Sequence, residues 1–189
     1  SDLIDWNNKL TKLRLLDLSF NNLEILLDNY ISSSLQLLDL KLNDNQISFI
    51  ERNFFLNFKV LQFLNLANNN LKFFSFEYFY RGIKSINLRN NSIEKAENSA
   101  VFKQKLETLE NVDLSLNKLE RIYLENLIDT SELTKPMHIL INFNQLKFIH
   151  KDIFKFLFVR IHDLSLSLNQ IDLIHPNAFS HLTLLESLN

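Results

Sequence analysis

The sequence predicts an α/β fold of the solenoid kind. It is a right-handed, curved horseshoe with a parallel β-sheet on its concave face and short turns, extended segments or 3₁₀ turns on its convex face. Three observations predict it. The spacing L-x-x-L-x-L-x-x-N-x-L recurs seven times along the 189 residues. One Asn holds the same place in every copy. Gly and Pro number only one and two, so Asn has to do the work of ending strands.

The copies run from end to end. They are Leu13, Leu16, Leu18, Asn21, Leu23; then Leu37, Leu40, Leu42, Asn45, Ile47; then Leu61, Leu64, Leu66, Asn69, Leu71. Ile83, Ile86, Leu88, Asn91, Ile93 follow, and then Leu109, Val112, Leu114, Asn117, Leu119. The last two are Pro136, Ile139, Ile141, Asn144, Leu146 and Ile161, Leu164, Leu166, Asn169, Ile171. Successive Asn positions differ by 24, 24, 22, 26, 27 and 25 residues, and a repeat of this period signals stacked coils. Leu10 and Leu13 fit the tail of an earlier coil, and Leu185 to Asn189 opens an eighth strand. The expected organisation is therefore one solenoid domain over 1–189, with partial repeats at both ends, as an excised piece of a longer array. Uncapped ends would favour self-association.

Each element has a physical reason. Leu-x-Leu alternation puts two Leu on one face of a strand. A lone strand cannot bury that face, but stacked strands share a continuous core. The chain returns by the right-handed crossover that parallel strands favour, and about 24 residues leave room only for turns or extended segments. The strand side is the more compact, so the stack curves around its sheet. Asn offers a donor and an acceptor where the backbone bends inward. Asn21, Asn45, Asn69, Asn91, Asn117, Asn144 and Asn169 are thus expected to form a structural ladder. On the return side the position of Phe55 is held elsewhere by Ile31, Phe79, Phe102, Leu127, Phe154 and Phe179, which predicts an aromatic-rich interior spine. The longer copies place their extra residues at 94–108 and 120–135, and Pro136 is tolerated where a strand starts.

Composition excludes several functions. A formal net charge of −2 and no basic stripe argue against nucleic acid as a partner. Without Cys the segment has no disulfide, thiolate site or Cys nucleophile. With one Gly it has no phosphate-cradling loop, and no apolar run is long enough to span a membrane. No activated nucleophile and no cofactor motif stands out, so the expectation is a non-catalytic protein without a cofactor.

The candidate contact residues point outward between the Leu positions: Asp17, Asp39, Lys41, Phe63, Asn65, Asn87, Arg89, Asn111, Asp113, His138, Asn142 and Asp163. Ala67 and Ser115 follow in the same outward rows. Such a surface, polar with scattered charge, suits a protein ligand or a second copy of the chain. Phe20, Leu116, Phe143 and Leu168 precede the ladder Asn and are expected to stack as an apolar ridge on one rim. His138, His162 and Asp163 fall on adjacent strands and together resemble a weak metal set, although no third His completes it, so no metal is expected. Asn90-Asn91-Ser92 is a glycosylation sequon with Asn90 as acceptor.

The repeat closely resembles the leucine-rich repeat of the 24-residue extracellular animal type, LxxLxLxxNxLxxLxxxxFxxLxxL. Segments of Toll-like receptor, chaoptin-like adhesion and insect immune ectodomains are similar. That resemblance implies a recognition or adhesion segment of a cell-surface or secreted protein, with a role in innate immunity or cell adhesion. An intracellular scaffold is the alternative, and the irregular lengths near 24 with Phe fit it less well.

Overall fold

The computed structural model describes residues 10–31, 36–76, 79, 82–97, 108–121, 136–151, 153–154 and 161–189. The expectations placed on Phe102 and Leu127, and most of the longer stretches 94–108 and 120–135, lie outside these residues.

Short strands alternate along the chain. In order they are β1 (Leu15–Asp17), β2 (Ile25–Leu26), β3 (Asp39–Lys41), β4 (Phe49–Ile50), β5 (Phe63–Asn65), β6 (Phe73–Ser75) and β7 (Ser85–Asn87). They continue as β8 (Lys95–Glu97), β9 (Asn111–Asp113), β10 (Met137–Leu140), β11 (Phe148–Ile149), β12 (Ile161–Ser165), β13 (Leu173–Ile174) and β14 (Ser187–Leu188). An eight-stranded parallel sheet takes β1, β3, β5, β7, β9, β10, β12 and β14 in that order. The remaining strands pair on the return side as three two-stranded parallel sheets, β2–β4, β6–β8 and β11–β13. A 3₁₀ turn, Phe54–Asn57, lies on the return side. This is the parallel β-solenoid of leucine-rich-repeat type that the spacing predicts, built from extended return segments.

Register explains the core. Leu16, Leu40, Leu64, Ile86, Val112, Ile139, Leu164 and Leu188 are consecutive partners across the main sheet. One apolar column therefore runs the length of the stack, and Leu40, Leu64, Ile86, Val112, Ile139 and Leu164 are buried. The sixth repeat departs from expectation. Pro136 is exposed ahead of the strand, and Met137 takes the buried first position instead. Met137 pairs with Ile161 while His138 pairs with Asp163, so His162 is one extra residue on β12. That is a β-bulge, which changes the direction of the side chains that follow it.

The Asn ladder is built as the repeat predicts. The Asn69 amide donates to the carbonyls of Leu42 (3.0 Å), Leu66 (3.0 Å) and Ala67 (3.2 Å). Its carbonyl accepts from Ile47 N–H at 2.9 Å. Asn117 repeats this with Leu88, Leu114, Ser115 and Ile93, each within 3.2 Å. Asn45, Asn91, Asn144 and Asn169 likewise reach the coil before their own. Asn21 bonds only within its own coil, to Leu18 and Ser19, among the described residues. These bonds satisfy peptide groups that leave the sheet at the turn, where no ladder partner exists.

The aromatic spine is broader than the repeat spacing shows. Phe55 packs on Phe79 with ring centroids 4.9 Å apart, and Phe154 stacks on Phe179 at 6.0 Å. Phe54 and Phe76, which no repeat position marks, are buried with them, as is Phe74 at the repeat position held by Ile50 in the coil before. Phe54 meets Phe55 edge to face at 5.1 Å, and Phe74 meets Phe76 so at 5.4 Å. Offset and edge-on rings of this kind bury large area at favourable quadrupole geometry.

Candidate functional site

The outward side chains of the main sheet form the site. Alternation makes them accessible: Leu15, Phe63, Asn111 and Leu140 are exposed, and Asp39, Lys41, Asn65, Asn87, Asp113, His138 and Asp163 are half-buried. Three positions in those rows differ. Ser165 is buried with its hydroxyl donating to Asn142 at 2.5 Å. Ala67 and Ser115 are buried, because the chain is already turning inward where they stand. The adjacent residue explains why. Asp113 Oδ1 accepts from Ser115 N–H at 2.8 Å, and Asn65 Oδ1 accepts from Ala67 N–H at 3.0 Å. Asn87 does the same for Arg89 at 3.0 Å, and Asp17 for Ser19 at 3.0 Å. These are Asx turns, in which the side chain satisfies an N–H two residues on. The Asp and Asn at these four candidate contact positions therefore have a backbone role. One side-chain oxygen of each is committed to the turn.

The face is hollow toward its C-terminal half. A depression of about 420 Å³ spans β7, β9, β10, β12 and β14. Asn87, Asn111, Asp113, His138 and Asp163 line it, together with Leu140 and Ser165. Ser187 and Asn189 complete the wall and were not marked by the outward pattern; the partnership of Asp163 with Ser187 puts them there. Asp17, Asp39, Lys41, Phe63 and Asn65 belong to β1, β3 and β5 and stand apart from it. Arg89 and Asn142 lie just past the ends of β7 and β10. Asn142 accepts from the hydroxyls of Ser165 (2.5 Å) and Ser167 (3.1 Å), which holds it in place.

Charge differs along the face. Lys41 Nζ lies 3.6 Å from Asp17. The Asp17 carboxyl is held below its ordinary range first by the Ser19 hydroxyl, which donates to it at 2.5 Å, then by the Ser19 N–H and Lys41. In the C-terminal half Asp113, Asp163 and Glu186 occur with no Lys or Arg on the outward positions of β9, β10, β12 and β14.

The histidines do not form one metal set. His138 Nδ1 bonds to Asp163, whereas His162 Nδ1 bonds to Glu186 at 3.1 Å. The bulge at His162 separates them into two pairs. Among the described residues no group of three His, Cys, Asp or Glu is placed to hold a metal ion. No helix of the described residues is long and apolar enough to cross a membrane.

The rim residues expected to form an apolar ridge are open to solvent to different degrees, with Leu116 partly buried. Phe20 is 78% exposed, Leu168 65% and Phe143 46%. Asn90 is exposed on the same rim and donates to Asn68 Oδ1 at 2.8 Å.

No curated protein matches the chain. A family model described as leucine rich repeat matches residues 137–189, the coils that form the floor of the depression from β10 to β14. The match and the stacked parallel coils with their Asn ladder together support a leucine-rich repeat protein.

Proposed function

We propose that the chain is a non-catalytic protein-recognition module whose concave sheet face is the contact surface. One observation carries this reading. The outward side of an eight-stranded parallel sheet is accessible, and it is hollowed across five successive strands rather than filled by the chain's own residues. A rigid parallel stack held by side-chain ladders presents such a surface with little loss of freedom on binding. A photo-crosslinking amino acid at Asn111, in the parent protein expressed in its own cells, is the direct test. Protein adducts should form there and not from the same residue placed at Lys59 on the return side. Adducts only from Lys59 would overturn the reading.

On this reading the module belongs to a cell-surface or secreted protein serving recognition or adhesion, innate immune recognition included. The 24-residue repeat with Phe supports that placement over an intracellular scaffold. Labelling of intact cells with an impermeant amine reagent should tag the parent protein, and recovery only from lysed cells would refute it. Asn90 is then the glycan acceptor, and a glycosidase-sensitive mass increment on its peptide is the expected finding.

A further inference from the structure

The residue before each ladder Asn adopts the left-handed conformation in all seven coils. The φ values are 56° at Phe20, 55° at Asp44, 57° at Asn68, 53° at Asn90, 57° at Leu116, 54° at Phe143 and 54° at Leu168. Asn and Asp tolerate this region; Leu and Phe are disfavoured there by the clash of Cβ with the backbone. Coils two to four follow that rule and add a use for the side chain. Asn68 donates to Asp44 at 2.7 Å, and Asn90 donates to Asn68 at 2.8 Å. Coils five to seven hold the same φ with Leu116, Phe143 and Leu168.

The fold does not require apolar groups here, since its own neighbouring coils do without them. Nor does the core receive them. Phe143 has a coil on either side, through Leu116 N–H to Asn142 and its own N–H to Ser167, yet remains 46% exposed. Phe143 and Leu168 thus combine a strained backbone with apolar surface left in water, and Leu116 beside them is partly buried; Phe20 shows the same combination in the first coil, far from the depression. Backbone strain of this sort points to function when local structure does not explain it.

The neighbouring surface says what would cover the rim. Asp113 lies three residues before Leu116, and Ser165 three before Leu168, so the acidic depression and the rim are no more than about 10 Å apart along each coil. The depression is lined by the carboxylates of Asp113 and Asp163, the latter bonded to His138, and by no Lys or Arg. We infer that the C-terminal half is a two-part docking site, resting on the concave-face reading above. It takes a protein segment with a Lys or Arg side chain in the depression and a large apolar side chain on the Leu116–Phe143–Leu168 rim. A second copy of the chain fits less well, because a two-fold contact would set carboxylate against carboxylate.

The probe is a displayed library of random peptides selected on the whole chain. Selected peptides should share a basic residue near a large apolar one. Asp113→Asn with Asp163→Asn keeps an acceptor for the Asx turn and should lower their affinity about tenfold or more. Phe143→Asn with Leu168→Asn should lower it by a similar factor while the melting temperature holds or rises, since Asn suits the left-handed backbone. A rim with a packing role would instead lower the melting temperature. Affinity lost with the depression pair but kept within about twofold by the rim pair overturns the two-part site and leaves the concave-face reading standing. Peptides indifferent to both pairs overturn both. Sedimentation of the unaltered chain as a dimer that Phe143→Asn returns to monomer would replace the partner with a second copy.

Discussion

At one rim of the solenoid Asp44, Asn68 and Asn90 stand in coils two to four where Leu116, Phe143 and Leu168 stand in coils five to seven, and Phe20 in the first coil is apolar as well. The backbone angle is the same to within a few degrees. The polar set is tied together by hydrogen bonds; in the apolar set Phe143 and Leu168 face water and Leu116 is partly buried. Behind the sheet the emphasis reverses. The N-terminal coils bury the Phe54, Phe55, Phe58, Phe74, Phe76 and Phe79 cluster, and put mixed charges on the concave face. The C-terminal coils hollow that face and give it carboxylates. A repeat thus separates two demands. The spacing of Leu and Asn sustains the stack, and positions that the stack leaves open can diverge between its halves.

Substitution can break that comparison at several strengths. The largest effect is expected from one kind of residue in two settings. Phe55→Ala empties a buried ring position and should cost about 3–5 kcal/mol, whereas Phe143→Ala on the exposed rim should change stability by well under about 1 kcal/mol. Urea denaturation midpoints compare them, and equal losses would contradict the division. Next comes the ladder, which both halves share. Asn117→Ala leaves the Ile93 N–H and three carbonyls without this partner, and should cost about 1–3 kcal/mol. Asn69→Ala should match it; a ladder that mattered in only one half would show unequal losses.

A smaller effect of opposite sign is expected at the rim. Asn68→Leu should destabilise by about 1–2 kcal/mol through strain and lost bonds. Leu168→Asn should be neutral or stabilise by up to about 1 kcal/mol. The same sign for both in thermal melts would show that the rim residues are chosen for packing. The smallest effect concerns acid. Asp17 has a folded pKa below its ordinary 3.8, first because of the Ser19 hydroxyl. A lowered carboxyl pKa contributes stability that is present above the unfolded value. That contribution is lost as pH falls from about 4 through the lower folded value. Asp17→Asn should flatten the stability profile slightly in that acid window and nowhere else.

Much of the fold was legible in the residues themselves. Alternation along a strand is local, so Leu64 and Leu66 declare their inward face without any neighbour. The Asn at a constant offset declares its turn for the same reason. The candidate contact face followed from the same alternation, and His138, Asp113, Asn111 and Asp163 do converge on one depression. Other features depend on the neighbouring coil or on local chain length. Phe54 and Phe76 fall between the fixed positions of the return segments, so no spacing marks them. His162 becomes a bulge only because β10 offers one residue fewer against β12. Asp113 and Asn65 read as outward contact residues, and the turn that uses their oxygens appears only with the backbone in place.

The sequence by itself determined the coil, its inward face and its Asn ladder, because those depend on period and residue type within a single repeat. The tertiary structure decided which outward side chains meet across strands, which ring positions are buried and which rim residues are strained. Those depend on distances between residues some two dozen positions apart, which are set only when one coil lies on the next.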